Sequence, residues 1–98
     1  MVSRPFDQAI EDMRDRVLHG PGAATSEARR AAFAGNVTDD LAAYVDKVRR
    51  YAYKVTDEDV ASLRQRYTDD ELFEITVAAA MGAALSRRDA ALRAMGKG

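Results

Sequence analysis

Apolar residues return at helical spacing in every segment of this chain. Phe6, Ile10, Met13 and Val17 recur at intervals of four, three and four, which lines one face of a helix. Ser3 is placed to cap that helix and Pro5 to sit in its first turn. The stretch HGPG, His19 to Gly22, ends it, because two glycines and a proline do not continue a helix. A short alanine-rich helix is predicted over Ser26 to Ala34, closed by Gly35 and Asn36.

A third helix is expected to start at Thr38, with Asp39 and Asp40 in a first turn where the helix dipole favours acids. Leu41, Tyr44, Val45, Val48 and Ala52 form its predicted buried face, with Tyr51 beside the stripe. Its C-terminal half carries Lys47, Arg49, Arg50 and Lys54, which the same dipole favours. Thr56 with Asp59 predicts a variant capping box for a short fourth helix packed through Val60 and Leu63. Thr68 with Glu71 forms a full capping box and opens the last helix, predicted from Asp69 to Met95 and stopped by Gly96.

That last helix would be roughly 40 Å long, whereas a compact domain of this size has a diameter of roughly 33 Å. It must overshoot its own domain or bend, and Gly82 is the expected place for a bend. Its first half is apolar around most of the circumference, including Leu72, Phe73, Ile75, Val77 and Met81. A helix of that kind is buried on several sides, so it is expected to be the central helix of the assembly.

Composition adds constraints on size and partners. Ninety-eight residues make one domain, residues 1–98, whose core is thin because much of the apolar content is alanine and only 7% is aromatic. A helical chain with so few large core residues often completes its core against another copy of itself, so a homo-oligomer is expected. With 15 basic and 16 acidic residues the net charge is −1, not the footprint of a nucleic-acid binder. The absence of cysteine excludes disulfides, thiolate metal sites and thiol redox chemistry in this chain. The N-terminus has no signal-like apolar core, and the most apolar run, Ile75 to Leu85, is far short of the ~20 residues a membrane span needs. A soluble, cytoplasmic protein is therefore expected, with no membrane or nucleic-acid partner.

Few residues offer chemistry. His19, the only histidine, reads either as a general base or ligand, or as a polar residue at the negative end of a helix. With no second histidine or any cysteine to complete a site, no metal or cofactor is expected. The acidic groups Asp39–Asp40, Asp57–Asp59 and Asp69–Glu71 follow threonines at helix starts, which accounts for them. KVRRYAYK, Lys47 to Lys54, interleaves cations and tyrosines in the manner of a nucleic-acid surface, but it sits where a helix C-terminus attracts cations. A helix-turn-helix around Tyr67 is excluded, since its recognition helix would begin with the acidic DDELFEI. Glu74 is the informative acid. It lies among apolar neighbours, and Arg87 and Arg88 are about 20 Å farther along the same helix. If buried, it must find a partner on another helix or subunit, with Arg49 or Arg50 as candidates, or else serve as a functional carboxylate.

From Leu41 to Gly96 the chain resembles the helical repeat of the carboxymuconolactone decarboxylase and AhpD-like alkylhydroperoxidase superfamily. The resemblance rests on KVTDEDVASLR, then the capped start YTDDELFEI, then a long small-residue helix. Residues 1–36 carry no such likeness, and the family-like repeat covers 38–96. The resemblance implies an all-α, AhpD-like bundle of four to five helices ending in one long central helix and completed by oligomerisation. In peroxidase members a glutamate on this helix is followed by a Cys-x-x-Cys pair and a histidine. With Glu74 in the glutamate position, Ser86 and Asp89 stand where the cysteines would be and Arg93 where the histidine would be. The thiol centre is thus absent. The resemblance leaves two expectations. One is a non-catalytic or accessory oligomeric protein, with a related chain as a candidate partner. The other is a cysteine-independent enzyme acting on a small acid or lactone, with Glu74, Arg88 and His19 as its pocket residues.

Overall fold

A computed structural model describes residues 5–96, whose regular structure is all helix, with no strand among them. The elements are α1 (Pro5–His19), α2 (Ser26–Ala34), α3 (Ala42–Tyr51), a 3-10 turn (Ala52–Lys54), α4 (Asp57–Leu63) and α5 (Asp69–Ala94). The all-α class is as the periodicity predicts. The expected Ser3 cap and the Phe6 side chain lie outside what is described.

Local hydrogen bonding explains most boundaries. Thr56 accepts from the Asp59 amide while the Asp59 carboxylate accepts from the Thr56 amide, so the variant capping box is complete. Thr68 and Glu71 do the same at the start of α5. Thr25 caps α2 by accepting from the Ala28 amide at 3.0 Å. At the other end of α2, Asn36 donates to the Ala31 carbonyl and Gly35 to that of Ala32, forming a Schellman motif.

Three expectations need correction. The third helix starts at Ala42 rather than Thr38, because the Asp39 carboxylate accepts from the Leu41 amide at 2.9 Å and holds a turn there. Asp39 and Asp40 therefore do not lie in its first turn. Ala52 belongs to the 3-10 turn and is exposed, so it is no part of the α3 face. Met13 is 52% exposed, while Leu18, at the end of α1, is buried in its place.

The core gathers Leu41, at the N-cap of α3, and Tyr44, Val45 and Val48 of α3 against Leu72, Ile75, Ala78 and Ala79 of α5, together with Ala32 of α2. Of all the helix pairs, α2 and α5 share the most extensive contact, so the N-terminal segment and the family-like repeat form one packed unit. Gly82 explains that closeness. A Cβ there would lie 1.9 Å from the Phe33 carbonyl oxygen of α2. α5 continues through Gly82 without interruption, and the glycine serves close approach of the two backbones.

The long helix does overshoot. The molecule extends 48 × 29 × 20 Å, and the residues of α5 beyond Leu85 are exposed. Contrary to a helix covered all round, Phe73 is 69% exposed and Ala80 and Ala84 are also bare. One face of α5 is therefore uncovered.

Replacing Gly82 by alanine gains about 1 kcal/mol of helix propensity but forces α2 off α5. We expect a net loss of about 2 kcal/mol or more, read from the denaturant midpoint. A Gly82→Ala protein as stable as the parent would mean that α2 does not sit on this glycine.

Candidate functional site

Glu74 occupies the second turn of α5 and points at the loop that leads into α2. Its two carboxylate oxygens accept from consecutive backbone amides, Ala23 to Oε2 and Ala24 to Oε1, each at 2.9 Å. Its partner is thus the loop backbone of the same chain, and neither Arg49 nor Arg50. The amides hold the carboxyl below the ordinary glutamate value, first Ala23 and then Ala24, with a smaller attraction from the Arg29 cation. Gly22 makes the arrangement possible, because a Cβ at that position would lie 2.4 Å from Glu74 Oε1. HGPG is therefore both a helix stop and the seat of a carboxylate.

His19 ends α1 and sits beside the same loop. The Ser26 hydroxyl donates to the Leu18 carbonyl at 2.7 Å, which uses its only hydrogen. The 3.1 Å contact between Ser26 Oγ and His19 Nδ1 must then be donated by the imidazole, so Nδ1 carries a proton. The ring is exposed and fastened to the start of α2. Arg88 lies fourteen residues beyond Glu74, roughly 21 Å along α5, on its exposed C-terminal half. Glu74, His19 and Arg88 therefore do not share one cavity. Among the described residues, no group of three or more His, Cys, Asp or Glu could hold a metal ion.

Three other arginines are structural, and no residue pattern marks their targets. The last carbonyls of a helix have no partner within it. Arg29 of α2, itself buried, donates to the Val17 carbonyl of α1 at 3.0 Å. Arg49 of α3 donates to the Ala32 and Phe33 carbonyls of α2. Arg87 of α5 donates to the Arg49 carbonyl of α3. In each case a guanidinium from a later element closes the negative end of an earlier helix.

Two hollows meet at Arg49. One, about 530 Å³, is bordered by Asp46, Arg49, Arg50, Ser86 and Arg87. Within it Arg50 pairs with Asp46 at 2.9 Å, an exposed i,i+4 pair of small energetic weight. The other, about 440 Å³, is bordered by Arg14, Phe33, Arg49, Ser86, Asp89 and Arg93. Arg14 stacks 5.2 Å over the Phe33 ring there. Ser86, Asp89 and Arg93, the three positions matched to the family's Cys, Cys and His, thus border one hollow, and Glu74 is not among its walls.

Elsewhere the polar pairs tie helices together. Lys47 of α3 bonds the Asp59 carboxylate of α4 at 2.9 Å, and this contact, with the Thr56 amide, lowers the Asp59 pKa. Tyr67 donates to Asp40 at 2.8 Å, and holding that proton against a carboxylate raises the phenol pKa. Tyr44 and Thr76 share a 2.7 Å hydrogen bond between α3 and α5. The Thr76 hydroxyl also contacts the Leu72 carbonyl at 2.6 Å. No helix among the described residues is long and apolar enough to cross a membrane.

A carboxyl with a lowered folded pKa stabilises the fold above its unfolded value, and the contribution disappears as pH falls through the folded value. Glu74 should therefore protect the fold at neutral pH and cease to do so as the medium is acidified below its ordinary value of 4.5. Glu74→Gln puts an amide group against a backbone N–H, which we expect to cost about 1–3 kcal/mol at pH 7. It should also flatten, without abolishing, the loss of stability on acidification, since Asp59 still titrates. Urea midpoints between pH 3 and 7 test this, and a variant with the parent's pH profile would contradict the assignment. No protein-family model, curated protein or solved structure matches this chain.

Proposed function

We propose that this chain is an AhpD-like, oligomeric helical protein with a non-catalytic or accessory role and without thiol peroxidase activity. The observation that supports the reading most is the fate of Glu74. The one carboxylate that matches the family's reactive glutamate is consumed by two backbone amides of the α2 entry loop. A carboxylate that accepts two such bonds is a poor proton acceptor, and it has no thiol to serve. The uncovered face of α5 and its overhang beyond Leu85 favour a second polypeptide as the thing bound.

The rival is a cysteine-independent enzyme for a small acid or lactone, and one observation favours it. Arg14, Arg49 and Arg93 border the hollow that also receives Ser86 and Asp89, and guanidinium groups suit a carboxylate. Arg49 is already committed to two carbonyls, which weakens that case.

Under the accessory reading, the protein sediments as a dimer or larger species at tens of micromolar, and it removes organic hydroperoxide no faster than buffer does. Neither small carboxylic acids nor their lactones should be turned over. Turnover of such a compound that is lost in Arg93→Ala, with the fold intact by circular dichroism, would replace the accessory reading with the enzymatic one.

A further inference from the structure

The uncovered face of α5 has a regular composition. Asp70, Phe73, Val77, Ala80, Ala84 and Arg87 follow one another at intervals of three, four, three, four and three. That is the a/d spacing of a coiled-coil seam rather than a broad core stripe. All six are exposed except Val77, which is half-buried; Asp70 to Ala84 lie opposite the face that α5 packs on α2 and α3, and Arg87 lies at its edge, where it also reaches the Arg49 carbonyl. The seam is acidic at its start, apolar in the middle and cationic at its end.

We infer that this seam binds the same seam of a second copy, antiparallel, in a two-fold symmetric dimer. The inference rests on the oligomeric reading above and names its interface. With the dyad between Val77 and Ala80, Val77 of each copy lies opposite Ala80 of the other, and Phe73 opposite Ala84. Asp70 then lies opposite Arg87 at both ends, so each charged layer is complementary. A parallel pairing would stack aspartate on aspartate and arginine on arginine, which disfavours it. Alanine opposite valine and phenylalanine also matches small against large, letting the helix axes approach to roughly 8 Å. Arg87 keeps further N–H donors after its bond to the Arg49 carbonyl, because a guanidinium has five. The overhang beyond Leu85 falls across the partner's α4–α5 corner. There a hollow of about 470 Å³ beside Phe73 is walled by Tyr44, Val60 and Leu72. One symmetric contact thus covers both the bare apolar face and the overhang.

Because the chain has no cysteine, single substitutions give an unambiguous crosslinking test. Mild oxidation of an equimolar mixture of Phe73→Cys and Ala84→Cys chains is expected to give a mixed disulfide dimer in high yield. Phe73→Cys alone should give little. In sedimentation, Ala80→Glu places two carboxylates beside the dyad and should raise the dimer dissociation constant about tenfold or more, with helicity unchanged. A parent protein that stays monomeric at hundreds of micromolar overturns this interface and the oligomeric reading together. A dimer that survives Ala80→Glu, or that crosslinks Phe73→Cys to itself as readily as to Ala84→Cys, overturns this interface and leaves the oligomeric reading standing.

Discussion

The open ends of helices are the constraint on which this fold turns. Each α-helix leaves its last carbonyls without internal partners, and in a small domain those ends lie close to the core. Here the C-terminal ends of α1, α2 and α3 are closed by Arg29, Arg49 and Arg87, each reaching back from a later element. A guanidinium suits the task because its charge complements the helix dipole while its fork of donors can serve two carbonyls at once. The α2 end has both solutions, a Schellman motif for two carbonyls and Arg49 beside it. Three helices too short to be stable alone are fixed at their weakest points in this way.

The N-terminal ends are handled by oxygen. Threonines at 25, 56 and 68 cap α2, α4 and α5, and the Glu74 carboxylate takes the two amides just ahead of α2. With Gly82 admitting the Phe33 carbonyl, α5 contacts α2 at both ends, by a carboxylate at one and by backbone proximity at the other. The small residues of this helix are thus a means of bringing backbones together. At Gly82 the two backbones are in direct contact, and the hollow on that side is bordered by Phe33, Arg49 and Ser86.

Much of this was legible in the sequence. The five helices, the Thr56 and Thr68 caps and the excess length of α5 follow from periodicity and from short-range hydrogen bonds that lie within four residues, whereas the Thr25 cap of α2 went unread. The errors share a physical cause. Thr38 to Asp40 looked like a helix start, but the Asp39 side chain binds the Leu41 amide and postpones the helix to Ala42. Glu74 was expected to need a cationic side chain, yet its partners are backbone amides, which every residue type supplies and which leave no compositional trace. The targets of Arg29, Arg49 and Arg87 were hidden for the same reason. Met13 shares its periodic stripe with Val17, but the buried position at that end falls to Leu18. The hollow bordered by Ser86, Asp89 and Arg93 was legible as a set of positions and not as a space.

The arginine contacts also have a direction. Every guanidinium lies later in the chain than the helix end it closes, by twelve residues for α1, sixteen or seventeen for α2 and thirty-eight for α3. Glu74 likewise reaches back by about fifty residues to the loop before α2. A chain emerging from the ribosome N-terminus first therefore acquires each helix before the group that closes it. The end of α3 and the entry to α2 stay open until α5 has appeared. Folding of the nascent chain is in this sense held back until its last helix is made, the same helix whose bare seam would recruit the second copy.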